Sequence, residues 1–276
     1  MNSTKSPQFA IIENGKVNES IAINLSSNAP VNPQLRLNHV SLQSKIGFQP
    51  ILQDISVEVE PGDRIALVGI SGAGKTSLLR LLNRLDSPST GEIFFEGENY
   101  NKIPVVELRK QITLVFSTPK LLGMTVKDAI GYPLKLRGLS KDEINQRLTQ
   151  WTERLEIPNE WLNRTEVQLS SGQLQKIAIA RALVIQPKIL LLDEAITGLD
   201  VGNQTKILNI LQTLAEDKIT LIFATHHLDL IQDWANQLWY LSPGKIVQNT
   251  PTRQVDWQAL KQQFIDAQKQ EAQDWE

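Results

Sequence analysis

The sequence contains no cysteine among its 276 residues. Disulfide bonds, thiolate metal sites and cysteine nucleophiles are therefore excluded, and we expect a cytoplasmic location. Long apolar runs are also missing: none approaches the ~20 residues that a membrane-spanning helix needs, and the first thirty residues lack the apolar core of a signal peptide. Any function at a membrane would then depend on a separate membrane-embedded partner.

A strong excess of charge of either sign is lacking as well. The net charge is −2, the isoelectric point is about 6.0, and the basic residues are scattered along the chain. Proteins that bind nucleic acid usually concentrate positive charge on one surface. We therefore expect no nucleic-acid partner, and we interpret the charged residues as an ordinary solvated surface.

Four regions differ in composition. Residues 1–34 are rich in Asn, Ser and Pro and predict a flexible extension, with a short strand near residues 9–12. Residues 35–250 predict one large domain, within which residues 118–168 have the charged, helix-period pattern of a separate helical lobe. Residues 251–276 predict a helical tail that packs on the domain through three apolar side chains: Trp257, Leu260 and Phe264.

Short apolar strands that alternate with helices predict an α/β fold. The most apolar strands are Arg64–Val68, Ile189–Leu192 and Ile219–Ala224, and each has the length of a buried strand. Helices are predicted at Ser77–Leu85, after the first of these strands, and at Lys176–Val184, before the second. Functional side chains are expected at the carboxyl ends of such strands, where α/β proteins bind ligands.

A glycine-rich loop joins the first of these strands to its helix. Gly69–Thr76 matches the phosphate-binding pattern G-x-x-x-x-G-K-[ST]. In that pattern the glycines let successive N–H groups approach phosphate, the lysine supplies a fixed cation, and the last hydroxyl binds Mg²⁺. A chance glycine turn is the alternative, but the strand before the loop and the helix after it argue against this. The predicted nucleotide ligands are Gly69, Ser71, Gly72, Ala73, Gly74, Lys75, Thr76 and Ser77.

Three further signals are weaker when each is taken alone. Asp193 and Glu194 end a buried strand and suit Mg²⁺ binding and activation of water, although a strand often ends in an acid that only caps a helix. The segment Leu169–Gln173 precedes a helix, where it is either an anion site or a plain N-cap. His226 follows another buried strand and is placed to bind a γ-phosphate, whereas His39 is assigned a structural role.

The order of these motifs resembles the ATP-binding cassette (ABC) ATPases over about residues 35–250. The glycine loop is followed by an L-S-x-G-Q segment, the strand ending in Asp-Glu, then Gly198-Leu199-Asp200 and Thr225-His226. The resemblance implies a P-loop nucleotide core, mainly a parallel sheet with flanking helices, together with an antiparallel β lobe and a helical lobe.

The resemblance also implies a mechanism. Two cassettes, as a homodimer or as a pair of different chains, close around two ATP molecules and hydrolyse them with Mg²⁺. Lys75, Glu194 and His226 would be the catalytic residues, with His226 sensing the γ-phosphate. Four residues would contact ATP bound to the partner subunit or transmit its state across the interface: Ser170, Gly172, Gln173 and Asp200. The implied Mg²⁺ ligands are Thr76, Asp193 and Ser117.

Four positions depart from the family pattern. Ser171 replaces a glycine of the L-S-G-G-Q signature, which costs little unless that position needs a positive φ. Ser117 stands where the family has a glutamine that contacts Mg²⁺ and links to the membrane partner. Ser44 stands where the family stacks adenine on an aromatic ring, with Phe48 as a candidate substitute, and His227 replaces a common aspartate. We expect these changes to affect the rate and coupling of hydrolysis more than ATP binding.

The leading hypothesis is the energy-coupling subunit of a transporter, docked on an integral-membrane permease at the inner face of the cell membrane. The family contacts its permease through the helical lobe and the loop that corresponds to residues 117–124. A soluble ABC ATPase for cluster assembly, nucleic-acid maintenance or translation is the second hypothesis, although neither a second cassette nor a long coiled coil is visible. A regulatory ATP binder is the third, and Glu194 argues against it.

Overall fold

A computed structural model describes residues 32–44, 47 and 49–273. The described residues from 33 to 273 belong to one compact unit. The strand predicted near residues 9–12 and the side chain of Phe48 lie outside the described residues. Across the described part of the chain, no helix is both long enough and apolar enough to cross a membrane.

The described residues form ten β-strands and eight α-helices, joined by loops and short 3₁₀ turns. The strands are β1 (Leu35–Gln43), β2 (Pro50–Val59), β3 (Arg64–Val68), β4 (Thr90–Phe95), β5 (Glu98–Asn99), β6 (Ile112–Val115), β7 (Ile189–Asp193), β8 (Thr220–Thr225), β9 (Gln237–Ser242) and β10 (Lys245–Pro251). The helices are α1 (Lys75–Leu82), α2 (Val105–Gln111), α3 (Val126–Leu136), α4 (Lys141–Arg154), α5 (Ser171–Leu183), α6 (Val201–Glu216), α7 (Leu228–Ile231) and α8 (Trp257–Gln273).

The strands are divided between two sheets. The larger sheet has the order β10-β9-β3-β8-β7-β6, and its strands are parallel except for β10, which is antiparallel to β9. The smaller sheet is antiparallel, with the order β2-β1-β4-β5. The predicted fold class is therefore confirmed: a mainly parallel α/β core with an antiparallel β lobe.

The parallel sheet brings distant parts of the sequence to one edge. Its register pairs residues at the ends of neighbouring strands: Val68 with Thr225, Asp193 with Ala224, and Val115 with Leu192. The next residues in the chain therefore meet at the carboxyl edge, where α/β proteins bind ligands. Gly69, Glu194 and His226 all lie there.

The core lies on both faces of the parallel sheet, because side chains of a strand alternate between its faces. On β3, Ala66 and Val68 pack into one apolar cluster, whereas Ile65 and Leu67 pack into the other. The second cluster also contains the buried leucines of α1, each of which contributes roughly 1.5–3 kcal/mol by leaving water. This packing fixes the loop between β3 and α1 on rigid elements.

Helices α3 and α4 lie within the region whose pattern predicted a helical lobe. The hydroxyl of Ser140 accepts a hydrogen bond from the backbone N–H of Glu143 at 3.3 Å, while the Glu143 carboxylate accepts one from the backbone N–H of Ser140 at 2.9 Å. This capping box satisfies N–H groups that the first helical turn leaves without partners. Trp151 and Leu155 then turn the apolar face of α4 towards the core.

The helix ends differ from those that the sequence predicts. Helix α1 begins at Lys75 rather than Ser77, and α5 begins at Ser171 rather than Lys176, because both start directly after a phosphate-loop or capping residue. The predicted packing of the tail is confirmed: Leu260 and Phe264 of α8 are buried, and partly buried Trp257 also contacts the core.

Candidate active site

The glycine loop is shaped by contacts that leave no room for side chains. Gly74 has a φ of 104°, and a Cβ on it would lie 2.9 Å from Leu52 Cδ2. A Cβ on Gly69 would lie 2.4 Å from the carbonyl oxygen of Leu241. Real Cβ atoms do not approach a backbone oxygen that closely, so crowding requires glycine at position 69, whereas at position 74 the positive φ favours glycine.

The lysine of the loop is held against the backbone of the loop itself. Its Nζ donates hydrogen bonds to the carbonyl oxygens of Gly69, at 2.6 Å, and Ile70, at 2.9 Å. Lys75 is also the first residue of α1, so its backbone lies at the positive end of that helix. The lysine cation, the glycine loop and the N-terminus of α1 therefore lie at one place.

Thr76 and Asp193 come together although 117 residues separate them. The threonine hydroxyl donates a hydrogen bond of 2.9 Å to Asp193 Oδ2. Asp193 is only 4% exposed, and this burial raises the pKa of its carboxyl; the neighbouring Glu194 adds to the rise, while the Thr76 bond and the charge of Lys75 oppose it. Hydroxyl and carboxylate oxygens are ligands that suit Mg²⁺.

Glu194 is held by the end of β8. Its Oε1 lies 2.8 Å from Nδ1 of His226, and its Oε2 accepts a hydrogen bond from Thr225 Oγ1 at 3.3 Å. The residue has a φ of 52°, a left-handed conformation that costs energy in a glutamate and that tends to occur at functional positions. The His226 ring also stacks at 4.0 Å on His227. The sequence analysis included Thr225 in the Thr-His motif but did not predict that it contacts Glu194.

The signature segment forms the N-terminus of α5. Ser170 is the N-cap: its hydroxyl accepts from the N–H of Gln173 at 3.2 Å, and the Gln173 side chain accepts from the N–H of Ser170 at 2.9 Å. The N-cap interpretation is therefore confirmed, and it is compatible with an anion site because helix N-termini attract negative charge. Ser171 begins the helix with ordinary helical geometry, so the missing glycine carries no backbone penalty.

A cavity of about 350 Å³ lies over this helix end, and we call it the signature cavity. Its walls include four predicted residues, Ser170, Gly172, Gln173 and Asp200, and three that the sequence did not indicate, Trp161, Lys176 and Asn203. Asp200 caps α6 by accepting from the N–H of Asn203 at 2.9 Å. No residue of the glycine loop appears in these walls, so the chain presents two separate groups of predicted site residues.

One predicted site residue, Ser117, is not brought into either group. The carbonyl oxygen of Ser117 accepts a hydrogen bond from Nε2 of Gln175 on α5, and its side chain is exposed. In the described structure the Ser117 hydroxyl contacts neither Thr76 nor Asp193, although the strand register places it beyond the end of β6, beside β7. Ser44 donates its backbone N–H to the carbonyl oxygen of Gln49 at 3.2 Å.

Known proteins share this arrangement of motifs and fold. A family model described as ABC transporter matches residues 52–197. The methionine import ATP-binding protein MetN 2 of Pseudomonas entomophila is 37% identical over 212 residues, which cover 75% of this chain and 63% of the relative. The chain thus spans less than two thirds of that relative's length. The nickel import ATP-binding protein NikE of Brucella suis is 36% identical over 224 residues, covering 78% of this chain and 84% of NikE.

Solved structures agree with the sequence relatives. The ATP-binding cassette MJ0796, in a dimeric post-hydrolysis state with ADP and phosphate, superposes with a TM-score of 0.73 at 27% identity and covers 80% of this chain and 100% of its own. The protein cbiO1 from Clostridium perfringens, part of the ABC transporter complex cbiONQ, gives a TM-score of 0.72 at 25% identity and covers 85% and 93%. This chain belongs to the ABC transporter family, as one of its ATP-binding cassettes.

Proposed function

We propose that this chain hydrolyses ATP with Mg²⁺ and uses the energy to drive import through a separate membrane permease. The observation that carries the proposal is the 2.9 Å hydrogen bond between Thr76 and Asp193, which joins the phosphate loop to the acidic strand end. We propose that Glu194, one residue further along the chain, faces the γ-phosphate of bound ATP. Loop, metal ligands and candidate base are thus assembled on rigid strands, as positioning catalysis requires.

Each residue has a distinct task in this proposal. Lys75 and the loop N–H groups bind the β- and γ-phosphates, and Glu194 orients the attacking water. Mg²⁺ would be held by Thr76 and Asp193 and neutralises phosphate charge when bound. Among the described residues, no group of three or more His, Asp or Glu is arranged to hold a metal ion. Ser117 is a further proposed ligand, through water because of its short side chain.

Two cassettes are required to complete each site in this proposal. The signature cavity contains the N-terminus of α5 and Asp200 but no residue of the glycine loop. If two copies pair around a two-fold axis, Ser170, Gly172 and Gln173 of one face ATP on the other, and two complete sites form. The dimeric state of the MJ0796 cassette supports this arrangement.

An apolar groove supports docking on a permease. It has a volume of about 410 Å³ and lies between β6, the loop after it, α3 and α5. Three of its lining side chains are large, apolar and exposed: Phe116 at 40%, Leu122 at 77% and Tyr132 at 45%. Apolar groups clustered in this way mark interaction surfaces. We propose that the chain docks through this groove on a permease at the inner face of the cell membrane.

The import direction follows from the relatives, and the cargo does not. The MetN and NikE proteins are both named as import subunits, but one is named for methionine and the other for nickel. Because the two names disagree, neither cargo is proposed for this chain.

The test of hydrolysis is release of phosphate from ATP by the purified full chain, with and without Mg²⁺. We expect Mg²⁺-dependent turnover that Lys75→Ala lowers at least a hundredfold, because the cation on the transferred phosphate is lost. Turnover that is equal in the two proteins would contradict the site assignment.

The test of the permease surface is membrane fractionation of cells that produce Leu122→Asp. We expect this charge in the apolar groove to move the chain from the membrane fraction to the soluble fraction. Val247→Asp is the matched control, because Val247 is 57% exposed and lies on β10, outside the groove. Wild-type protein found only in the soluble fraction would favour the second hypothesis, a soluble ABC ATPase.

A further inference from the structure

A second cavity adjoins the signature cavity. Its volume is about 250 Å³, and its walls come from the end of α4, from α5 and from α6. Four charged side chains line it: Arg154, Glu156, Lys176 and Lys206. Three of them are cations and one is an anion, so the walls have an excess of two positive charges. We call it the basic cavity.

Only one of these cations is directly paired with the carboxylate. Nζ of Lys206 lies 2.6 Å from Oε2 of Glu156, and this hydrogen bond lowers the pKa of the Glu156 carboxyl. Arg154 contacts neutral groups instead: its Nη2 donates to Thr213 Oγ1 at 2.6 Å, and its guanidinium lies 5.2 Å from the centroid of the Trp151 ring. These contacts hold the guanidinium in place without neutralising its charge.

Lys176 is the most buried of the three cations. It is 8% exposed, and among the described residues its ammonium makes no hydrogen bond or ion pair, so the small exposed part of the side chain keeps the ammonium in contact with water. Burial lowers the pKa of Lys176, the charge of Lys206 lowers it further, and the carboxylates of Glu156 and Asp200 oppose the change. A cation that keeps only part of its hydration and has no direct ion pair is unfavourable, and an anion bound next to it would offset that cost.

The remaining walls indicate what kind of anion fits. Leu155, Ile207 and Ile210 supply apolar surface, and Asn203 and Asn209 supply amides. The volume of about 250 Å³ is smaller than that of pockets for drug-sized ligands, so the cavity suits a small organic anion. We propose that the basic cavity binds a small dicarboxylate, with its carbon chain on the apolar wall. One carboxylate pairs with the Arg154 fork, whose planar geometry matches it, and the other pairs with Lys176.

Such an anion would act on the neighbouring cavity, because Lys176 and Asn203 line both. Asn203 also holds Asp200, through its backbone N–H at 2.9 Å and its Nδ2 at 2.6 Å. A dicarboxylate would neutralise the charge of Lys176 and weaken the capture of the partner's ATP by the signature cavity. This regulatory consequence rests on the proposed function, whereas the binding itself does not.

Binding is tested by calorimetric titration of the nucleotide-free full chain with succinate, which has eight non-hydrogen atoms. Succinamide, of the same shape without charge, is the matched control, and sodium chloride at equal ionic strength is the second. We expect one succinate per chain, no heat from succinamide, and at least tenfold weaker binding of inorganic phosphate. Succinamide that binds as well as succinate, or phosphate that binds as tightly, would overturn the assignment.

Two variants, for which we expect opposite changes in succinate affinity, locate the site. Arg154→Gln should weaken succinate binding at least tenfold, because the fork is lost. Glu156→Gln should tighten it several-fold, because the competing negative charge is removed. Lys141→Gln, on an exposed residue at the other end of α4, should change nothing. Because Arg154→Gln also loses its contact with Thr213, the gain in Glu156→Gln separates charge from folding. Unchanged affinity in both variants would overturn the proposal.

The regulatory consequence is tested by measuring ATP hydrolysis with and without succinate. We expect succinate to slow the wild-type chain and to leave Arg154→Gln unaffected. Succinate binding in a chain that does not hydrolyse ATP would contradict the proposed function and leave the dicarboxylate site standing. Hydrolysis that is insensitive to bound succinate would remove the regulatory consequence alone.

Discussion

Two glycines of the phosphate loop show how single residues decide the site. Both have positive φ, 74° for Gly72 and 104° for Gly74. They differ in space: a Cβ on Gly72 would meet nothing within 4 Å, whereas one on Gly74 would meet Leu52 Cδ2 at 2.9 Å and Ile51 O at 3.1 Å. Conformational strain is therefore common to the two positions, and crowding is specific to Gly74.

Gly74→Ala should therefore lower the free energy of unfolding by about 2–4 kcal/mol, since strain and overpacking add. Gly72→Ala is the matched control and should lose only about 1 kcal/mol. Urea unfolding measures the loss, and titration with Mg²⁺-ATP should show that Gly74→Ala binds at least tenfold more weakly. Equal losses of stability in the two variants would contradict the crowding that the structure shows.

At pH values above the ordinary pKa of an aspartate, Asp193→Asn should stabilise the nucleotide-free protein. Burial raises the pKa of Asp193, so folding favours its protonated form. That stability is present at low pH and is lost as pH rises through the folded-state pKa, because the buried carboxyl must then ionise. The neutral amide avoids this loss. We expect thermal melting without Mg²⁺ to give a higher Tm for the variant at pH 8 and equal Tm values near pH 4.

The site residues differ in how far the sequence revealed them. Lys75, Thr76 and Asp193 follow from motifs because local patterns fix both their chemistry and their place at strand ends. Trp161, Lys176 and Asn203 have no such pattern; they belong to the signature cavity only because α5, α6 and the turn at Trp161 converge there. Contacts between distant elements have no local signal, so sequence reasoning did not find them.

At the scale of elements, the buried strands and the tail follow from their apolar residues. Strand β3 has the predicted bounds because four of its five residues are fully buried and a glycine follows it. Helix α2 was not predicted: in seven residues it buries only Leu108, so its apolar periodicity is too weak to detect. Helix α8 buries Leu260 and Phe264, and the Phe264 ring lies 5.4 Å from that of Tyr240 on β9.

Phe264→Ala should therefore lower the free energy of unfolding by about 3–5 kcal/mol, because it leaves a cavity under α8. Ile265→Ala, at the neighbouring position that is 46% exposed, should cost less than about 1 kcal/mol. Chemical denaturation of the two variants measures the difference. A small loss for Phe264→Ala would mean that α8 does not contribute to the core.

The loop after β6 contains Ser117, one of the four positions that depart from the family pattern. Ser117 is tied to α5 through the bond from Gln175 to its carbonyl oxygen, so the loop position is set by the backbone rather than by its side chain. Ser117→Gln keeps that bond and restores the longer side chain. We expect it to raise Mg²⁺-dependent ATP hydrolysis by about two- to tenfold, as measured by phosphate release at saturating ATP. Slower hydrolysis in this variant would mean that the serine is adapted to its place.

At the scale of the whole molecule, the predicted site residues form two separate groups, which we propose to be two half-sites. The glycine loop, Asp193 and Glu194 meet at the sheet edge, while Ser170, Gly172 and Asp200 line a cavity that contains none of the loop residues. Pairing of two copies would bring the glycine loop of each copy next to the signature cavity of the other. ATP is then both the substrate and the main link between subunits, so dimerisation should depend on its presence.

The mass of Glu194→Gln in the presence of Mg²⁺-ATP tests this account most directly. The variant keeps the phosphate ligands and removes the carboxylate that activates water, so ATP should remain bound. Size-exclusion chromatography with light scattering should give twice the 31.0 kDa of the chain with Mg²⁺-ATP and a single chain without nucleotide. The double variant with Lys75→Ala should stay monomeric. A Glu194→Gln protein that binds Mg²⁺-ATP and remains at 31.0 kDa would contradict the paired-cassette account.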